Sequence, residues 1–388
     1  MKSVIGRFQE NVDRRSSDSK KWHLHPADVL PLSLADMDFP SSGAITRALV
    51  SRAEHGVFGY PMDPAELRDA IVDWLYSEYC WRISQADIVL LPCIDVGLRL
   101  ACSSMSSAVR TVVTCPPVYH HIDDLAAKTG FSGVEVPLLR TPGGEYMLDV
   151  PNIGDALSQA PAVFVLCNPH NPVGRVFKAE ELERLAHVCS AHDIYVCSDE
   201  IHSDLVFDGR QHIPFAALAP QLASRVVTLM SPSKGFNLSG LRFGFAVVQS
   251  AGLRQQVEEA QRGLVSGGNV MGYAAALAAY RESEKWLTAA LKALERNRDM
   301  LSEYVHTELQ PISMSPVEGT YLAWLDCREI GVPGSPQAFF LNQARVALSD
   351  GADFGSGGDG FVRLNFACTP STLELALGKM KEALSRVQ

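Results

Sequence analysis

Residues 226–247 read VVTLMSPSKGFNLSGLRFGFAV, and they set a single lysine, Lys234, in a Ser-Pro-Gly-Asn turn between two apolar runs. No other lysine stands between Lys178 and Lys285. Most lysines are solvated surface residues. A lysine that directly follows a buried strand is placed differently, because ligands of parallel α/β sheets sit beyond the carboxyl ends of the strands.

The surrounding sequence supplies such a sheet. DIVLL (87–91), TVVTC (111–115), AVFVLC (162–167), IYVCS (194–198), VVTLM and FGFAVV (243–248) are short apolar runs separated by helical or loop stretches. KAEELERLAHVCSAHD (178–193) is one of the helices. Continuous apolar strands alternating with helices predict an α/β fold with a mostly parallel sheet between helices. Ser41 or Ser42 is expected to cap a helix over ITRALVSRAEHG, and Asp63-Pro64 to open a second. A long helical stretch, about 252–310, leads to a last segment of α+β character. The expected organisation is a large domain, 46–275, and a smaller one in which an N-terminal arm, 1–45, joins 276–388.

Bulk properties bound the function. At 388 residues and 47% hydrophobic composition the chain is globular and long enough for two domains. A net charge of −10 without basic runs argues against nucleic acid and anionic membrane as partners. The N-terminus lacks an apolar signal core, and no stretch approaches the length of a membrane span. Nine scattered cysteines without a C-x-x-C pair read as reduced thiols, so a cytoplasmic location is expected.

Two chemical readings of Lys234 compete. SPSK (231–234) matches the S-x-x-K of serine acyl enzymes, but the tetrad follows a strand where that Ser should open a buried helix, and the companion S-D-N does not occur. The alternative is a Schiff-base amine for pyridoxal 5'-phosphate, which needs three kinds of partner. The pyridine nitrogen needs a carboxylate, the ring oxygen a donor, and the phosphate an Arg, hydroxyls and backbone N–H groups. Asp199, after IYVCS, supplies the carboxylate. Asn171, in NPHNPVG after AVFVLC, supplies the donor, and Ser231, Ser233 and Arg242 form the phosphate clamp. Each alone reads as a cap, a turn or a surface charge; jointly they satisfy one cofactor.

The set CNPHNPVGRVF, YVCSDEIHSDLVF and SPSKGFNLSGLRFGF resembles the class I/II aminotransferase-like, fold-type I pyridoxal-phosphate enzymes. LADMDFP (34–40), FGYP (58–61) and PPVYHHI (116–122) are similar to the cystathionine β-lyase or C–S lyase branch of MalY/PatB type. The resemblance implies Lys234 as the cofactor-bearing lysine and Asp199 as the pyridinium partner. It gives Asn171 and His202 to the ring oxygen, and Tyr119 to stacking on the ring. Backbone amides of Ile94 and Asp95 would join Ser231, Ser233 and Arg242 at the phosphate. Tyr60 would enter from the other subunit of a homodimer, and Arg363 would clamp the substrate α-carboxylate. Two residues depart from the pattern. Cys93 stands where Gly is usual, and Gly235 follows the lysine where Thr or Ala is commoner, which is expected to open space beside the reactive carbon.

The expected activity is α,β-elimination from a cysteine S-conjugate, cystathionine-like or more specialised, to thiol, pyruvate and ammonia. Lys234 would be the general base, and Tyr60, Tyr119 or Lys234 itself would protonate the leaving sulfur. Transamination, a decarboxylating or deaminating variant, and a non-catalytic regulator are the alternatives. His120-His121, His23/His25 and His187/His192 fit no zinc spacing, so no metal is expected. GSGGDG (355–360) reads as a mobile turn. SGGN (266–269) reads either as a helix entry or as a contact to the partner's phosphate.

Overall fold

The computed structural model describes residues 8–105, 109–265 and 268–387. Seven strands form the central sheet: β1 Ile88–Leu91, β2 Thr111–Thr114, β3 Ser132–Glu135, β4 Ala162–Cys167, β5 Tyr195–Asp199, β6 Val226–Met230 and β7 Gly244–Val247. Their order is β1-β7-β6-β5-β4-β2-β3. From β3 to β6 all neighbours are parallel, and β7 runs antiparallel to both β6 and β1. Every residue of β4 and β6 is buried, which is why these runs are continuously apolar instead of alternating.

Helices cover both faces. Ser42 caps α1 (Gly43–Glu54), its Oγ accepting from Ile45 N at 3.2 Å. Helix α2 (Ala65–Tyr79) follows Pro64. Helix α3 (Ile94–Ser104) lies very close to the sheet, because Gly97 has no side chain: a Cβ there would come within 2.8 Å of Leu91 and 2.9 Å of Leu229. That approach brings the N-terminus of α3 to the strand ends. Helix α4 (Ala179–Ala191) connects β4 to β5. The long helical stretch resolves into α5 (Ala251–Gln261), α6 (Val270–Glu282) and α7 (Glu284–Glu308). Of SGGN, Ser266 and Gly267 lie outside the described residues; Asn269 caps α6, accepting from Met271 N at 2.9 Å.

A second, antiparallel sheet has strands β8 Ser313–Met314, β9 Leu322–Asp326, β10 Ser349–Asp350 and β11 Phe361–Asn365, in the order β8-β9-β11-β10. Helix α8 (Pro370–Leu384) packs beside α7. The N-terminal arm joins this part, Leu30–Pro31 pairing in parallel with Val346–Ala347.

LADMDFP is a strap tied to the end of β11 and to the turn that follows β6. Asn365 Nδ2 donates to Leu34 O at 2.6 Å and to Asp36 O at 2.7 Å. Asn237 Nδ2 donates to Met37 O and Phe39 O, each at 3.0 Å. The motif's acids are neutralised by the arm: Arg14 meets Asp38 at 2.6 Å and Asp36 at 2.8 Å, and buried Lys21 meets Asp38 at 2.9 Å. Such pairing is what permits a buried lysine.

Candidate active site

Where β4, β5 and β6 end, with the N-terminus of α3 beside them and the strap above, lies a cavity of about 850 Å³. Lys234, Asp199, Asn171, His202, Tyr119, Ile94, Asp95, Ser233, Arg242 and Arg363 all line it. Residues from widely separated stretches of sequence therefore meet at one place.

Lys234 is set by the turn that follows β6. Ser231 Oγ accepts from Ser233 N at 3.0 Å and donates to Phe243 O at 2.6 Å, winding Pro232–Gly235 into one helical turn. The Lys234 ammonium donates to Ala35 O of the strap at 2.8 Å. Burial, helped by the positive Arg363, lowers its pKa from 10.5 to about 8. Asp199 is buried, and burial raises its carboxyl to about 7 even though Ile201 N donates to it at 3.1 Å. A buried carboxylate held in this way is stabilised by any cation delivered beside it.

Asn171 and Arg363 are joined, Arg363 Nη1 donating to Asn171 Oδ1 at 2.9 Å. Ser33 O and Ser349 Oγ take Nη2 at 2.9 and 3.1 Å, and the guanidinium lies 4.8 Å from the centre of the Phe354 ring. Burial brings Arg363 down to about 10, so it stays charged. His202 is buried and its Nδ1 meets no partner among the described residues. Burial, Lys234 and Arg363 hold its pKa far below the ordinary histidine value, so the ring is neutral. Tyr119 is likewise kept a neutral phenol by burial and by Asp95 and Asp199.

Arg242 turns into the cavity from a backbone with φ +48°, and among the described residues its guanidinium makes no ion pair or hydrogen bond. Ile94 and Asp95 open α3, whose first N–H groups are unpaired within the helix. Together they form a ready anion site. A group with a cationic ring nitrogen and a dianionic phosphate fits this cavity: the buried Asp199 carboxylate would meet the first, and the unpaired Arg242 and the α3 terminus the second.

Ser231 Oγ, one residue before the turn that carries Lys234, also shapes that turn. Two sequence expectations need correcting. Gly235 does not open space beside Lys234. It faces Asp204, whose Oδ2 and Cβ a Cβ at 235 would meet at 2.8 and 2.9 Å. Asp204 is held there by Tyr79 Oη at 2.7 Å and Trp74 Nε1 at 3.1 Å. The 355–360 loop is no free turn: Val118 N donates to Phe354 O at 2.9 Å just before it, and Ser356 donates to Glu135. Cys93, at the other departure, is extended with φ −169° and ψ 166°, a conformation open to any residue; its side chain simply joins the cavity wall. Tyr60 is fully exposed on this chain, next to exposed Val57, Phe58 and Met62.

Sequence reasoning missed Ala35 O, which receives Lys234, and the Ser33 and Phe354 contacts to Arg363. LADMDFP flagged the first as a motif, without revealing what it touches. Nothing local marks the others.

The chain belongs to the aminotransferase class I and II family, whose profile matches residues 27–380. Within that family it is similar to cystathionine beta-lyase PatB of Bacillus subtilis (strain 168), 34% identical over 97% of this chain and 100% of the relative. Among solved structures it is similar to OvoB, with 38% identity, a TM-score of 0.93, and 97% and 98% of the two chains covered. Cystalysin of Treponema denticola, solved with pyridoxal 5'-phosphate, matches with 26% identity and a TM-score of 0.93 over 98% and 99% of the two chains.

Proposed function

We propose that this protein is a pyridoxal-5'-phosphate-dependent lyase that cleaves the C–S bond of a cysteine S-conjugate by α,β-elimination, releasing a thiol, pyruvate and ammonia. The observation that carries the reading is the meeting of Lys234, Asp199 and Arg363 in one cavity. The similarity to a cystathionine beta-lyase over the full chain supports the choice of bond.

Lys234 would hold the cofactor, Asp199 would face its ring nitrogen, and Asn171 and His202 would face its ring oxygen. Tyr119 would stack on the ring. Ser231, Ser233, Arg242 and the amides of Ile94 and Asp95 would hold the phosphate, Ser231 also shaping the turn. Pyridoxal phosphate supplies the electron sink that makes an amino-acid Cα proton removable. The remaining work falls to side chains. Arg363 binds the α-carboxylate through a planar guanidinium suited to two parallel hydrogen bonds. Once displaced, Lys234, with its amine lowered to about 8, takes the Cα proton at Nζ. The same ammonium, or the neutral phenol of Tyr119, can return a proton to the departing sulfur. The strap over Lys234 limits water at the reacting carbon.

The active unit is proposed to be a homodimer with Tyr60 reaching the partner's site; the exposed Val57, Phe58, Tyr60 and Met62 support it. The division into a large part, 46–275, and a smaller part, 1–45 with 276–388, belongs to the same reading. It is supported by the seven-stranded sheet lying within 88–247 and the four-stranded one within 313–365. A cytoplasmic location is supported by cysteines that are all free thiols, and no described helix is long and apolar enough to cross a membrane.

The test is a panel of S-substituted cysteines, cystathionine included, assayed for thiol and pyruvate with cofactor-loaded protein. Release of both supports the lyase. Keto-acid-dependent amino exchange without thiol release makes the protein an aminotransferase instead.

A further inference from the structure

The glycine-rich segment before β11 touches the site from two directions, and Phe354 is where they meet. Its carbonyl accepts from Val118 N at 2.9 Å, which fixes the backbone immediately before Tyr119. Its ring, 1% exposed, lies 4.8 Å beneath the Arg363 guanidinium and is itself braced edge-on by Trp324 at 5.4 Å. The next residue lets the loop come this close. Gly355 has φ +82°, and a Cβ on it would stand 2.5 Å from Asp123 Oδ1 and 3.1 Å from Pro116. Ser356 then ties the loop to Glu135 at the end of β3.

We propose that Phe354 is a positioning residue that fixes the distance between the carboxylate clamp, Arg363, and the cofactor wall at Tyr119. Its backbone sets one side and its ring the other, and Gly355 provides the close docking that both need. The role rests on Arg363 being the carboxylate clamp. A guanidinium over an aromatic face gains most when it is desolvated, as Arg363 is here. The ring takes only the face of the guanidinium, so the Nε–H, which meets no partner among the described residues, stays available to an anion.

Cofactor-loaded wild type, Phe354→Leu, Gly355→Ala and Arg363→Lys would be titrated with L-methionine and with 3-(methylthio)propylamine, which lacks only the carboxylate. Binding is read from the change in the cofactor's visible absorbance. Phe354→Leu is expected to weaken methionine binding roughly tenfold and to leave the amine unchanged. Gly355→Ala is expected to act in the same direction, which keeps the test available if either variant folds poorly. Added to Arg363→Lys, Phe354→Leu is expected to cause little further loss. Equal weakening of both ligands, or of neither, overturns the positioning role. If Arg363→Lys itself leaves the preference for methionine over the amine intact, the clamp reading fails instead.

Discussion

Arg363 reaches from the second sheet to Asn171 in the turn after β4, Nη1 donating to Oδ1 at 2.9 Å. The contact joins a residue proposed to bind substrate to one proposed to bind cofactor, so the two are placed relative to each other before either ligand arrives. Preorganisation of this kind lowers the cost of orienting a substrate at the reacting carbon.

Replacing Arg363 by Lys keeps the charge but removes the fork that spans Asn171, Ser33, Ser349 and the carboxylate. Steady-state kinetics with an S-substituted cysteine should show kcat/KM falling about 100-fold, most of it in KM. A loss below about threefold would place the carboxylate elsewhere.

Lys234 is held at about 8 against an ordinary 10.5, so in cofactor-free protein its buried charge opposes folding. The folded pKa is the lower one. The penalty is therefore complete below pH 8, shrinks between 8 and 10.5, and vanishes above. Cofactor-free Lys234→Met should accordingly be more stable than cofactor-free wild type at pH 7, by at most about 3 kcal/mol. Urea unfolding at several pH values measures the difference, and an advantage that grows with pH would have the wrong sign.

Gly235→Ala drives a methyl group into Asp204, which Tyr79 and Trp74 hold in place. Stability should drop by about 1–3 kcal/mol, while relative rates across a set of S-conjugates stay the same. A change of substrate preference without loss of stability would restore the view that this glycine shapes the substrate space.

Phe58 and Met62 lie exposed beside Tyr60, so Phe58→Asp with Met62→Asp should split the proposed dimer and abolish activity. Light scattering on wild type should give twice the 42.2 kDa chain mass. Refolding inactive Tyr60→Ala together with inactive Lys234→Ala should restore about a quarter of wild-type activity, because only mixed dimers rebuild one intact site. No recovery would mean that Tyr60 serves its own subunit or none.

The sheet and the residues Asp199, Asn171 and Lys234 were legible because each stands at, or within four residues of, the end of a buried apolar run. Asp199 ends β5, Asn171 follows β4 and Lys234 follows β6, and the fold collects strand ends automatically. The turn-shaping bonds of Ser231 were not legible, because a hydroxyl near an anion site and a hydroxyl that caps a turn look the same in sequence. The reason for Gly235 lies in Asp204, which only tertiary packing places against it. Phe354 carries no local signal at all, since its partners Val118 and Arg363 belong to different elements. Strand β7 was read correctly as a strand, but its antiparallel direction depends on the chain path and not on apolar pattern.

The most direct measurement counts products. Cofactor-loaded wild type and Lys234→Ala would be incubated with one cleaved S-substituted cysteine in the absence of any keto acid, and thiol and pyruvate quantified together. The account predicts equal amounts of thiol and pyruvate from wild type, over many turnovers, and neither from Lys234→Ala. Thiol and pyruvate from Lys234→Ala at the wild-type rate, or turnover by wild type only when a keto acid is supplied and without thiol, would contradict it.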